Sequence, residues 1–122
     1  MTPEALRHLS RRCTVMRRLI LIHGPCTLVP DLKRPPFESL VRAVAHQQLN
    51  GTAAETILGR FRALFPRRRF PSARQLAEVD DDALRAAGFS WAKIAALRDI
   101  AARTMDGTVP TSRAIHSMPD AE

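Results

Sequence analysis

The sequence is poor in aromatic residues. It has no tyrosine, one tryptophan and five phenylalanines, so aromatics make up 5% of its 122 residues. Strand-type alternation is also scarce, which points away from sheets and toward helices. Two cysteines are too few for a disulfide scaffold. No signal-peptide pattern opens the chain, and the longest strongly apolar run, Leu19-Ile20-Leu21-Ile22, is far short of a membrane span. These absences imply a cytoplasmic protein with reduced thiols and no membrane partner. Nucleophile motifs, phosphate-cradling glycine loops and Gly-x-Gly turns are missing. Cys13, His23, Cys26 and His46 have the chemistry for zinc but no paired ligand spacing. No metal and no cofactor is expected, and Cys13 falls on an apolar helix stripe that suits core packing.

What is abundant is alanine, leucine and arginine. Hydrophobic residues make up 45%, enough for a folded domain, and the length suits one compact unit over residues 1–122. The net charge is +7 with a pI near 11.2, the footprint of a polyanion binder. The charge is uneven. Residues 1–34 hold seven bases and two acids, residues 35–70 six and two, and residues 71–122 six and eight. Of the 19 bases 17 are arginine, so compositional bias is the competing explanation.

The pattern predicts an all-α chain of five or six helices. Thr2-Pro3-Glu4 is a helix start, and Leu6, Leu9, Cys13, Met16 and Ile20 then form one stripe up to Gly24-Pro25. A proline-rich loop follows, then a helix from about Phe37 to Gln48 that buries Phe37, Leu40, Val41 and Val44. Asn50-Gly51 breaks it. Thr52-Ala53-Ala54-Glu55 fits a capping box that opens a third helix to about Phe65. Ser72 to Gln75 is a second such box, Asp80-Asp81-Asp82 opens another helix ending at Gly88, and Ser90 caps one running to about Met105. Trp91, Ile94, Leu97 and Ala101 are its core candidates. Leu9, Met16, Ile20, Leu40, Val44, Ile57, Phe61, Leu76, Leu84, Ile94 and Leu97 make up the predicted core.

Three places have interface chemistry. Gln47-Gln48-Leu49-Asn50 sets two amides and an aliphatic side chain on a tight helix–helix turn, chemistry that suits a minor groove and the gap left by an extruded base. A polar helix end facing water is the plainer reading. Ser90-Trp91-Ala92-Lys93 is a helix start with a lysine able to meet a phosphate, or simply a capped helix with a core tryptophan. Arg67-Arg68-Arg69 is a phosphate-binding cluster or a solvated loop. Asp80, Asp81 and Asp82 at a helix start need no catalytic role, and Asp120 and Glu122 fall in a terminal tail.

The segments LSRRCTVMRRLILIHGPCTL, FESLVRAVAHQQLNGTAAETILGRFRALFP and LRAAGFSWAKIAALRDIAARTMDGTVP resemble, in order and spacing, the DNA-3-methyladenine glycosylase II family of the helix-hairpin-helix glycosylases. The likeness runs from about Leu9 to Glu122. Its most telling pieces are the Gln-Gln-Leu-Asn turn and the Gly-Phe-Ser-x-x-Lys helix start.

The resemblance implies a helical bundle that flips an alkylated base out of double-stranded DNA. An aspartate then stabilises the sugar cation as the N-glycosidic bond breaks, and water completes hydrolysis without metal. Gln47 and Gln48 match the wedge that fills the vacated gap and Leu49 and Asn50 its flank, while Lys93, on the Gly-Phe-Ser-x-x-Lys helix start, is expected among the DNA-binding residues. The family's glycine-rich hairpin, aromatic-lined pocket and catalytic aspartate would lie beyond Glu122, so an incomplete bundle, inactive on its own, is expected. Exposed apolar surface, self-association or a complementary C-terminal fragment would follow. The alternative is a non-enzymatic helical module that binds DNA or another partner. The four-cysteine cluster of the related endonucleases is absent, in keeping with the alkylated-base branch. Cys13 stands where many relatives have an acid.

Overall fold

The computed structural model describes residues 2–119, which fall into two compact units, one ending at Asp31 and one beginning at Leu32. Among the described residues there is no strand, and no helix is long and apolar enough to cross a membrane.

The first unit is a helix pair. Thr2 Oγ1 accepts from the Ala5 amide at 3.2 Å and Pro3 takes the first helical position, starting α1 (Pro3–Arg12). The chain becomes extended at Cys13 (φ −139°, ψ 115°), and α2 (Thr14–His23) begins. The single predicted helix is therefore two. The break is chemically closed: Cys13 Sγ accepts from the Met16 amide at 3.5 Å. The Ser10 carbonyl, which Thr14 N–H would meet in an unbroken helix, receives Arg17 Nε at 2.9 Å instead. Cys13 thus acts as a helix cap. Leu9, Met16 and Ile20 are half-buried, and neither helix has a fully buried side chain.

The second unit holds α3 (Pro36–His46), α4 (Gly51–Ala63), α5 (Ala73–Glu78), α6 (Asp81–Ala87), α7 (Trp91–Met105) and α8 (Ser112–His116). α7 packs on α3 and α5, while α4 packs on α3 and α6. Val41, Leu58, Phe61, Leu76, Leu84, Phe89 and Leu97 are almost completely buried, with Val44, Ile94 and Ala101 beside them. All five phenylalanines join this core. Phe61 lies edge-on to Phe65, Phe70 and Phe89 with centroids 5.4, 5.8 and 5.6 Å away, and Phe37 meets Phe70 at 6.2 Å. Such offset geometry favours the ring quadrupoles as well as burial. Among the described residues no polar or charged side chain is buried.

Several expectations need correction. The described residues form eight helices, because the first splits and a short one follows Pro110. α3 stops at His46, and α4 starts at Gly51 under an Asn50 cap, so the box expected at Thr52 does not open it. Asn50 Oδ1 takes the Ala53 amide at 2.8 Å, while Glu55 turns to His46 at 3.3 Å. Leu40 is 40% exposed. It sits about a quarter-turn off the stripe of Phe37, Val41, Val44 and Ala45. Trp91 is 59% exposed, since side chains at a first helical position point back past the helix end. The Arg85 guanidinium covers its ring at 5.2 Å. The Ser72–Gln75 box forms in both directions, and Ile57 is half-buried beside the core.

Candidate nucleic-acid interface

A helix leaves its last carbonyls without partners, and the end of α3 is a case in point. Gln47 leaves the helical conformation (φ −57°, ψ 126°) while its amide still reaches Val44 O at 3.3 Å. Gln48 then adopts φ 58°, the left-handed region, which among the described residues no other non-glycine occupies. A Cβ in that region costs about 1 kcal/mol. The Leu49 amide closes the turn on His46 O at 3.2 Å, and Asn50 caps α4. Gln47, Gln48, Leu49 and Asn50 are all exposed. An exposed, strained, two-amide turn persists here because two packed helices fix its ends.

The turn is held from across the unit by the Gly-Phe-Ser-x-x-Lys segment, and each of its residues has a physical task. Gly88 ends α6 in the left-handed region at φ 117°. A Cβ there would stand 2.9 Å from Ile57 Cγ1. Phe89 enters the core against Phe61, and its carbonyl accepts from Arg85 Nη1 at 2.9 Å. Ser90 Oγ accepts from the Lys93 amide at 3.2 Å, capping α7. Lys93 Nζ then donates to Gln47 O at 2.8 Å and Ala45 O at 3.3 Å. Ala45 O is the carbonyl that Leu49 N–H would have met had α3 continued. The two sequence pieces that drew attention separately are therefore one structural assembly. Their link was hidden from local reading because 46 and 48 residues separate the partners.

The remaining candidates separate from this assembly. Arg67, Arg68 and Arg69 are exposed on a loop that Arg62 Nε pins through Arg69 O at 2.9 Å. Asp80 precedes α6 without a side-chain cap bond, and Asp81 is engaged by Arg98 Nη2 at 2.6 Å. Arg98 also donates to Leu76 O, Ala77 O and Val79 O at the end of α5, a clamp that sequence reading missed. Asp106 is held below the usual carboxylate range by hydrogen bonds from the Thr108 side chain and amide, then by Arg103. It ends α7 in solvent, as a turn residue. Among the described residues no three or more His, Cys, Asp or Glu gather to hold a metal. Asp120 and Glu122 lie outside the described residues.

A family model described as HhH-GPD superfamily base excision DNA repair protein matches residues 41–117, a span that contains the turn and the lysine clamp. A DNA-3-methyladenine glycosylase 1 of Schizosaccharomyces pombe is 38% identical over 90 residues, covering 74% of this chain and 40% of the relative. An alkylbase DNA glycosidase-like protein of the same yeast is 29% identical over 120 residues, covering 98% and 56%. Among solved structures, the yeast 3-methyladenine DNA glycosylase in complex with abasic DNA matches with a TM-score of 0.69 and 34% identity, over 95% of this chain and 57% of that one. A DNA-3-methyladenine glycosidase from Bacillus halodurans matches with a TM-score of 0.77 and 29% identity, over 98% and 52%. The chain spans roughly half the length of these relatives, from 40% to 57%.

Proposed function

Because the chain belongs to the HhH-GPD superfamily of base excision DNA repair proteins, we propose that it serves as the DNA-wedge side of a glycosylase acting on alkylated bases. The observation that carries this reading is the turn at Gln47-Gln48-Leu49-Asn50, exposed and held in a strained conformation between α3 and α4. In this reading double-stranded DNA is the partner. Gln47 and Gln48 hydrogen-bond the base edges exposed when a nucleotide is extruded, while Leu49 and Asn50 flank the gap. Lys93 belongs to the same interface. The surplus of arginine in residues 35–70 supplies sequence-independent attraction to phosphate. Such a protein works inside the cell, at the DNA.

Hydrolysis needs more than a wedge. A glycosidic bond breaks readily only when a pocket holds the flipped base and a carboxylate stands beside the forming sugar cation. The described carboxylates lie on the surface or, like Glu38, in ion pairs with Arg42 and Arg34. We therefore propose that base release requires groups beyond those described here. In this reading residues 1–122 act as one functional part of the bundle.

Binding measurements test the wedge. Gln48→Ala is expected to weaken binding to a duplex with an abasic or alkylated site more than binding to intact duplex. Equal loss on both would reduce Gln48 to an electrostatic bystander and remove the reading. A helical module without a DNA role would show no salt-dependent DNA binding at all.

A further inference from the structure

We propose that Lys93 is a positioning residue, which acts on the lesion through the turn while its own ammonium stays on protein carbonyls. This inference rests on the wedge reading of Gln47 and Gln48 and assigns what keeps them in place.

Ala45 O loses its helical donor because the Leu49 amide bonds His46 O instead. Gln47 O faces the same end. Lys93 Nζ stands within donating distance of both atoms, at 3.3 and 2.8 Å. The carbonyl end of a helix carries partial negative charge, so a cation there is favoured over a neutral donor. Lys93 is itself half-buried, and its backbone is fixed by the Ser90 cap. The clamp thus runs from a rigid fifteen-residue helix to the two residues preceding and forming the bend. It fixes the carbonyl immediately before Gln48, whose left-handed φ of 58° persists only where neighbours over-determine it. The His46–Glu55 pair beside the turn is largely exposed on both sides. It is a weak substitute for this clamp.

A lysine spent on phosphate and a lysine spent on carbonyls behave differently on DNA. Each neutralised phosphate contributes about 0.9 to the logarithmic salt dependence of binding. A phosphate contact therefore strengthens intact and damaged duplex alike and steepens the salt slope. A clamp changes neither for intact duplex but sets how well the wedge fits a gap.

The experiment compares wild type and Lys93→Met on abasic and intact duplexes across a salt series, with 2-aminopurine beside the abasic site to report wedge insertion. In Lys93→Met the abasic-over-intact preference is expected to fall roughly tenfold, about the scale of one positioned hydrogen bond. The 2-aminopurine signal is expected to shrink, while the salt slope on intact duplex stays unchanged. Amide exchange in the free protein is expected to quicken at residues 47–50 and not within α7. A parallel loss on both duplexes, with the slope reduced by about one, would make Lys93 a phosphate contact and overturn the proposal. So would unchanged exchange at the turn. If wild type itself shows no preference for the abasic duplex, the wedge reading fails, while the exchange data still decide whether the clamp exists. Should Lys93→Met not fold, the wild-type ammonium resonance decides. It is expected to keep its shift when abasic duplex is added, and a scalar coupling to phosphorus would overturn the proposal.

Discussion

At the scale of single residues, Gln48 combines two demands that normally exclude each other. The bend between α3 and α4 asks for a residue without a Cβ, and the proposed function asks for a side-chain amide at the same place. Glycine would remove about 1 kcal/mol of folded-state strain, but it also adds freedom to the unfolded chain worth 0.4–1 kcal/mol. Gln48→Gly is thus expected to leave the urea midpoint nearly unchanged while reducing lesion preference. Gln48→Val, with a branched Cβ in the left-handed region, is expected to lower stability by about 1–2 kcal/mol. Equal stability of the valine variant and wild type would mean that the turn in solution does not hold φ 58°. The exposed position of the turn follows from residues that read easily in sequence: polar amides, then Asn-Gly. The strain at Gln48 does not, because a glycine stands only three residues away and is, by local rules, the better host for a bend.

At the scale of elements, α7 organises the second unit by ending two other helices. Lys93 closes α3 and Arg98, five residues on, closes α5. Arg98 meets three backbone carbonyls and Asp81. Hydrogen bonds from a charged group contribute about 1.5–3 kcal/mol where the acceptors have no other partner. Arg98→Met is accordingly expected to cost about 2 kcal/mol in urea unfolding and to leave the abasic-over-intact preference intact. That is the converse of the expectation for Lys93→Met. Gly88 is the other element-level constraint. Its φ of 117° and the 2.9 Å approach to Ile57 leave no room for a Cβ between α6 and α4. Gly88→Ala is expected to destabilise by about 1–3 kcal/mol, read as a lowered thermal midpoint.

Much at this scale was legible in sequence. Ser72, Ser90 and Gly88 act within three or four residues of themselves, and their caps and stops appear where local rules put them. The errors arose where two local signals compete. Asn50 and Thr52 are both good caps, and tertiary pairing of Glu55 with His46 removed the partner that Thr52 needed. At Cys13 an apolar stripe with helical spacing runs straight across a break, because Met16 and Ile20 continue the spacing on the next helix. Nothing in the stripe itself reveals that the Cys13 thiol and the Arg17 guanidinium will satisfy the broken ends. The partners of Lys93 and Arg98 were illegible because they lie far along the chain, and a cation on a helix surface can meet any carbonyl the fold brings to it.

At the scale of the whole molecule, the balance of apolar and charged surface separates what the chain holds from what the proposed reaction demands. Val15, Leu21 and Ile22 on α2 are more than half exposed, as are Leu28 and Val29 after it. Large apolar side chains this exposed are the kind that a partner or a further segment can cover. A complementary segment of a glycosylase, or a second copy, suits that chemistry. The described carboxylates, by contrast, are solvated or, like Glu38, paired with arginine. Stabilising a sugar cation by an acid in open water contributes little, because the field of a carboxylate is screened there. The purified 122-residue chain is therefore expected to release no 3-methyladenine from alkylated duplex above background, under conditions where an intact relative does. Release by the chain alone at a rate near the relative's would overturn this argument. The acid would then have to be sought among the surface carboxylates, with Asp80, Asp81 and Asp82 the first to be replaced by asparagine.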